Sequence, residues 1–125
     1  MAEAASSRLD GQRALLVEDD LLVGMGLKTS LEQLGAAVTW CSDVAGGLNA
    51  VDGLALFDFA IVDINLGGEV SAPVLDRLID KAIYTVISSG YDASSLEQRF
   101  QRLPRCEKPF TRARMRRLLC ERNGS

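Results

Sequence analysis

Five polar side chains follow apolar segments of the sequence, and their types suit the transfer of a phosphoryl group. They are Glu18, Asp19, Asp63, Ser89 and Lys108. A buried strand has no structural use for an unpaired carboxylate, whose burial costs several kcal/mol. A carboxylate can attack phosphorus and form an aspartyl phosphate, a reaction that needs positioning and charge neutralisation more than covalent help. The pattern predicts that Asp63 attacks, that Lys108 neutralises phosphoryl oxygens, and that Ser89 donates a hydrogen bond to one of them.

The charges of these side chains predict a divalent cation between them. Glu18, Asp19 and Asp63 together carry three negative charges, and Lys108 returns one positive charge. A bound Mg²⁺ ion would balance the remainder, because this hard cation binds one or two carboxylates together with phosphate oxygens and retains several waters. Calcium would require more oxygen ligands than the segment ends offer.

Other chemistries are poorly supported by the residue types. The chain has no histidine, and its three cysteines, Cys41, Cys106 and Cys120, lack the paired spacing of zinc ligands. No serine has a recognisable base beside it, which argues against acyl transfer. The cysteines are interpreted as reduced thiols.

Short apolar segments alternate with segments of helical period at intervals of about 20 residues. Four strands are apolar on both faces, which is typical of central parallel strands covered on both sides. A fifth, shorter strand completes a predicted doubly wound (βα)5 sheet. The five predicted strands are 14–18, 37–41, 59–64, 83–88 and 105–107.

Five helices are predicted between and after the strands. The first has Asp20 as its N-cap and Gly35 as its stop, and the others cover 43–51, 72–81, 94–101 and 111–122. The expected inward-facing side chains are Val23, Leu27, Leu31, Leu34, Val74, Leu75, Leu78, Ile79, Met115, Leu118 and Leu119. In such a sheet the ligand site lies beyond the carboxyl ends of the strands, which is where the five polar residues fall.

Length and composition fit one α/β domain over residues 12–122, with tails at 1–11 and 123–125. The chain has 125 residues, of which 47% are hydrophobic, and a net charge of −3. Neither a signal peptide nor a membrane span is apparent, so a cytoplasmic location is expected. The charge is uneven, because residues 97–125 contain nine Arg or Lys and three Asp or Glu. This basic end predicts a docking surface for an acidic partner, although such runs also occur as solvated helix faces.

Four motifs, in order along the chain, resemble the receiver domain of two-component response regulators. They are LLVEDD (15–20), AIVDINL (60–66), ISSGYD (87–92) and EKPF (107–110). The resemblance extends from about Arg13 to Glu121. It implies a flavodoxin-like (CheY-like) fold with a five-stranded parallel sheet in the order 2-1-3-4-5.

The resemblance also implies a role for each site residue. Asp63 would be the phosphoacceptor, Asp19 would bind Mg²⁺ directly and Glu18 through water, and the backbone carbonyl of Asn65 would be a further ligand. Ser89 would supply the switch hydroxyl, and Lys108 would be the lysine that is typical of the family's site. The switch and partner face would include Gly90, Tyr91, Arg105 and Pro109.

By the same resemblance, the phosphoryl donor would be a sensor histidine kinase or a histidine phosphotransfer protein. The domain would phosphorylate and dephosphorylate itself as a signalling module rather than act as an enzyme, and it would have no output domain. Phosphorylation would change the face formed by the fourth helix, fifth strand and fifth helix. No nucleic acid or membrane partner is expected, and arginines on this face favour an acidic partner over a symmetric dimer.

Three alternative functions remain open. One is a receiver-like scaffold that phosphorylation does not control. Another is a Mg²⁺-dependent phosphohydrolase with an aspartate nucleophile, which normally has a second acid where this chain has Asn65. The third is a nucleic-acid binder that uses the basic end. The net negative charge of the chain and the lack of aromatic residues among the basic ones argue against this function.

Two departures from the family pattern affect the expected switch. Arg105 stands where many receivers have an aromatic residue, so the usual coupling through a buried ring is in doubt. Gly67 and Gly68 follow the acceptor where a proline is frequent, which predicts a loop of more than usual mobility.

Overall fold

A computed structural model describes residues 9–89, 97–107 and 111–120, with only the backbone of Ser89. The strands of its central sheet are β1 (Arg13–Val17), β2 (Ala37–Cys41), β3 (Phe59–Asp63), β6 (Tyr84–Ser89) and β7 (Arg105–Glu107). All five are parallel and lie in the order β2-β1-β3-β6-β7. This order is 2-1-3-4-5 when only the strands of this sheet are counted, so the predicted fold is confirmed.

Helices cover both faces of this sheet and divide the core into two layers. They are α1 (Leu21–Gln33), α2 (Val44–Asp52), α3 (Ala72–Asp80) and α4 (Arg112–Cys120). On one face, Leu27 and Leu31 of α1 and Met115 of α4 pack against alternate strand residues such as Leu16 and Ile61. On the other face, helices α2 and α3 cover the intervening positions. We call these the α1/α4 face and the α2/α3 face.

Aspartate side chains begin the first two helices. Asp20 accepts a hydrogen bond from the backbone N–H of Val23 at 3.1 Å, and Asp43 accepts one from Gly46 at 2.7 Å. Each bond satisfies a donor that the first helical turn leaves without a partner. Gly35 follows α1 with a φ of +107°, the left-handed conformation with which helices commonly end.

A small antiparallel hairpin follows β3 and was absent from the predictions. Strand β4 (Asn65–Leu66) pairs with β5 (Glu69–Val70) through a two-residue turn. Both turn residues, Gly67 and Gly68, have positive φ angles, +59° and +93°, as a type I′ turn requires. These glycines therefore form the tight turn of the hairpin, and the predicted mobility of this loop stays a prediction.

Several details of the predicted elements were wrong. Strand β2 is an edge strand, so Ala37 and Thr39 are exposed and it is not covered on both faces. Ile79 is 42% exposed rather than inward, whereas Leu118 packs against the α1/α4 core as predicted, although it is only partly buried. Of the helix predicted over 94–101, residues 94–96 lie outside the described residues, and Gln98–Phe100 form a 3₁₀ turn.

Within the described residues, no helix combines the length and apolar character needed to cross a lipid bilayer.

Candidate phosphoacceptor and metal site

Three acidic side chains meet at the carboxyl ends of β1 and β3. Val17 is the register partner of Val62, so Glu18 and Asp63 follow at the same level on adjacent strands. One carboxylate oxygen from each of Glu18, Asp19 and Asp63 lies within 4.8 Å of the other two. Glu18 and Asp63 are buried, with 1% and 8% of their surfaces exposed, whereas Asp19 is exposed. The topology therefore places two buried negative charges and one exposed negative charge around one point.

Backbone N–H groups point at all three carboxylates. Such bonds hold a carboxylate in a fixed orientation. The three bonds run from Asp20 N–H to Glu18 Oε2 (3.1 Å), from Asn65 N–H to Asp63 Oδ1 (3.2 Å) and from Gly67 N–H to Asp19 Oδ2 (2.8 Å). These contacts show that the loops after β1 and β3 are built around the acidic cluster.

The hairpin after Asp63 is anchored at its base and on one side. Ser71 donates two hydrogen bonds to the carbonyl of Ile64, from its backbone N–H at 2.9 Å and from its hydroxyl at 3.0 Å. Leu66 is buried in the core of the α2/α3 face. Because the turn at Gly67 also bonds Asp19, the hairpin links the loop after the predicted phosphoacceptor to the acid after β1.

Asp20 does not belong to the acidic cluster, although the sequence places it beside Glu18 and Asp19. Its side chain caps α1 instead. Trp40 contacts this region from β2, where its indole N–H donates a hydrogen bond to the backbone carbonyl of Glu18 at 2.9 Å. No sequence pattern predicts this contact, because only the pairing of β1 with β2 brings the two residues together.

The other predicted site residues are described less fully. Ser89 ends β6, and only its backbone is described. Lys108, Gly90, Tyr91 and Pro109 lie outside the described residues. The predictions for these five side chains therefore stay predictions.

A second serine, Ser88, is not among the predicted site residues, yet it lies beside the acidic cluster. It is the register partner of Asp63, and its carbonyl accepts a hydrogen bond from Ile64 N–H at 3.2 Å. The signal available in the sequence was the doubled serine that ends strand β6.

The arginines near the end of the chain have unequal surroundings. Arg99 pairs with Asp76 at 3.0 Å and with Glu97 at 2.8 Å, and its guanidinium lies 4.6 Å from the ring centroid of Phe100. Arg105 is exposed on β7, so it does not occupy the interior position that an aromatic ring would need. Helix α4 contains four arginines and no acidic residue.

The acidic cluster fits a hard divalent cation. Its donors are carboxylate oxygens, which Mg²⁺ prefers, and their mutual distances allow one ion to be reached by all three side chains. Histidine is absent and no cysteine belongs to the cluster, so the donor set does not suit zinc.

Comparison with known proteins identifies the family. The solution structure of SdrG from Sphingomonas melonis Fr1 is 39% identical in sequence, with a TM-score of 0.75 over 86% of this chain and 92% of that chain. A response regulator receiver domain (CheY-like) from Methylobacillus flagellatus is 25% identical, with a TM-score of 0.72 over 83% and 92% of the two chains. This chain belongs to the receiver domains of response regulators.

Curated sequences agree with this assignment. The receiver is 32% identical over 91 residues to the transcriptional regulatory protein QseB of Escherichia coli O157:H7, and 43% identical over 66 residues to QseB of Haemophilus influenzae. These matches cover 73% and 53% of this chain, which spans 41% and 27% of the lengths of the two relatives. No protein-family model matches the chain.

Proposed function

We infer that this receiver is the phosphoacceptor of a histidine–aspartate phosphorelay, and that it takes the phosphoryl group on Asp63 in a Mg²⁺-dependent reaction. The observation that carries this proposal is the approach of the Glu18, Asp19 and Asp63 carboxylates to within 4.8 Å of one another. A structural role alone does not explain the arrangement, because like charges at this spacing repel.

In the proposed reaction, a carboxylate oxygen of Asp63 attacks the phosphorus atom of a phosphohistidine. A new O–P bond forms, the N–P bond breaks, and its electron pair returns to the imidazole of the donor. The hydrogen bond from Asn65 N–H to Asp63 Oδ1 supports this step by fixing the orientation of the carboxylate. Ser89 and Lys108 are proposed, from the family resemblance, to bind the phosphoryl oxygens.

Glu18, Asp19 and Asp63 would hold Mg²⁺, with the backbone carbonyl of Asn65 as a proposed fourth protein contribution. When bound, the ion supplies positive charge that offsets the negative charge of the phosphoryl group. The bond from Gly67 N–H to Asp19 Oδ2 keeps this exposed carboxylate turned toward the cluster.

The donor is proposed to be a sensor histidine kinase or a histidine phosphotransfer protein, in keeping with the family. Self-dephosphorylation is proposed to end the signal. The hydrolase alternative is weakened at Asn65, because its side-chain oxygen accepts a hydrogen bond from Gly68 N–H at 3.1 Å within the hairpin. That position therefore serves the turn rather than supplying an acid to the reaction.

The proposed output surface includes Arg105 and the arginines of α4, together with Gly90, Tyr91 and Pro109. An acidic protein suits this surface, since α4 presents several positive charges without acidic neighbours on the same helix. Two copies of this surface should repel each other at low salt. Sedimentation of the phosphorylated receiver at low salt is therefore expected to show a monomer, and a tight dimer through the arginines would overturn this choice of partner.

Incubation with Mg²⁺ and acetyl phosphate, followed by intact-mass measurement, tests the function. The wild-type chain is expected to gain one phosphoryl group, and Asp63→Asn is expected to gain none. Asp20→Asn is a matched control, because asparagine still caps α1 and Asp20 lies outside the cluster. Release of many phosphates without a trapped adduct would favour the hydrolase, and failure to react would favour the unphosphorylated scaffold.

A further inference from the structure

Ser88 combines deep burial with an unused hydroxyl group. It is 1% exposed, and its Oγ atom has no hydrogen-bond partner among the described residues. A buried hydroxyl without a partner is unfavourable, because it loses its bonds to water and gains none in return. The other two buried hydroxyls of the described chain are both satisfied: Ser71 donates to Ile64 at 3.0 Å and Thr85 to Ile83 at 2.9 Å.

The strand register places Ser88 directly beside Asp63. The two residues are Cα partners on the adjacent parallel strands β6 and β3. Neighbouring strands in a sheet lie about 4.8 Å apart. Ser88 is therefore the residue of β6 that stands level with the predicted phosphoacceptor.

The alternation of side chains places both residues on the same face of the sheet. Ile61 and Val86 belong to the core of the α1/α4 face. Asp63 follows Ile61 by two positions and Ser88 follows Val86 by two positions, so both side chains project toward that face. Glu18 follows Leu16 in the same way, which makes Ser88 part of a polar row at the end of this core layer.

We propose that Ser88 is a phosphoryl-binding residue, whose hydroxyl donates a hydrogen bond to Asp63 once that side chain carries a phosphoryl group. This inference rests on the proposed function and adds a hydroxyl to the predicted Ser89. A phosphoryl group brings three strong acceptor oxygens to Asp63. The hydroxyl of Ser88, which has no partner among the described residues of the unmodified protein, gains an acceptor in the modified one.

With this arrangement, Ser88 favours the phosphorylated receiver over the unmodified one. An unsatisfied hydroxyl raises the free energy of the unmodified receiver, and a new hydrogen bond lowers that of the phosphorylated receiver. Removal of the hydroxyl should therefore leave the unmodified protein as stable as before, or slightly more stable, while weakening the phosphorylated state. A side chain with a purely structural role would not separate these two effects.

The test uses beryllofluoride, which mimics a phosphoryl group on a carboxylate, with the full chain at saturating Mg²⁺. Ser88→Ala is expected to raise the Kd for beryllofluoride about five- to tenfold, the effect of losing one hydrogen bond. Its midpoint of urea unfolding without beryllofluoride is expected to be unchanged or higher. Ser88→Cys, which replaces the hydroxyl by a slightly larger group that is only a weak donor, should match Ser88→Ala in its Kd for beryllofluoride.

Thr85→Val is the matched control. Thr85 lies on the same strand with the same burial but projects toward the α2/α3 face, and its hydroxyl already has a partner. This variant is expected to lose stability without a change in the Kd for beryllofluoride. Equal Kd values for wild type and Ser88→Ala would overturn the role of Ser88 alone, whereas a wild-type chain that does not bind beryllofluoride would overturn the proposed function and this inference with it.

Discussion

The indole N–H of Trp40 donates a hydrogen bond of 2.9 Å to the backbone carbonyl of Glu18, one of the three clustered acids. Trp40 is the only tryptophan of the chain. Its ring also packs against the α1/α4 core, so it lies between the acidic cluster and the helix that follows it. The environment of this indole should therefore respond to changes at the cluster.

Mg²⁺ is expected to change the fluorescence of Trp40 in a saturable titration, because the ion would draw the carboxylates together and shift the backbone at Glu18. Asp19→Asn should raise the Kd for Mg²⁺ by at least about tenfold, since the ligand charge is lost. Asp20→Asn, which leaves the cluster intact, should bind like wild type. A flat titration for wild type, with no heat of binding by calorimetry, would show that the cluster does not hold the ion.

Two glycines of α1 should respond in opposite directions to alanine. A Cβ atom on Gly24 would lie 2.0 Å from the ring of Trp40, whereas one on Gly26 would meet nothing within 4 Å. Gly24→Ala is expected to lower the free energy of unfolding by about 1–3 kcal/mol through overpacking, and to alter Trp40 fluorescence. Gly26→Ala should raise it by about 0.4–1 kcal/mol, because alanine restricts the unfolded chain.

Urea unfolding of the two variants measures this difference. Equal effects at both positions would mean that Trp40 does not pack closely on Gly24.

The sheet and the acidic cluster could be predicted from the sequence because both depend on the repeated alternation of strand and helix. Each βα unit returns the chain to the same edge of the sheet, so residues that follow successive strands must meet there. Glu18, Asp19 and Asp63 could be placed together in this way. The sequence pattern does not show directly whether a strand lies at the centre or at the edge of a sheet. Strand β2 was predicted to be central because Val38 and Trp40 are apolar. In the structure β2 is an edge strand, and these two side chains are only partly buried.

Finer packing depends on geometry that a sequence pattern leaves open. Val74, Leu75 and Leu78 fall within an arc of about 100° around α3, and Ile79 lies about 40° beyond it, so whether Ile79 is buried depends on how far α3 is rotated. The hairpin of residues 65–70 was missed because each strand has only two residues. Ser88 was missed because register decides which of two serines stands beside Asp63.

The hairpin turn predicts a graded response at Gly67. Its φ of +59° lies in the left-handed region, which asparagine tolerates and a β-branched residue does not. Gly67→Val is expected to cost about 1–3 kcal/mol of unfolding free energy and Gly67→Asn less than about 1 kcal/mol. Space is not the cause, because the nearest atom to an added Cβ is Asp19 Oδ2 at 4.0 Å.

Because Gly67 N–H bonds Asp19, a distorted turn should also weaken Mg²⁺ binding. The Kd for Mg²⁺ is expected to rise in the order wild type, Gly67→Asn, Gly67→Val, as measured by Trp40 fluorescence or calorimetry. If Gly67→Val unfolds more easily yet binds Mg²⁺ like wild type, the turn supports the fold but not the orientation of Asp19.

Cys106 is expected to make stability fall at alkaline pH. Burial raises the pKa of its thiol from the ordinary value of 9.0, and the nearby Arg114 opposes this rise only in part. The folded protein therefore keeps the proton at a pH where the unfolded chain releases it, so the stabilisation is complete below about pH 9 and declines as the pH rises further. Urea unfolding between about pH 8 and about pH 10 should show a smaller decline for Cys106→Ala than for wild type. Other titrating groups are common to both proteins, so equal declines would mean that the Cys106 thiol ionises as readily in the folded receiver as in the unfolded chain.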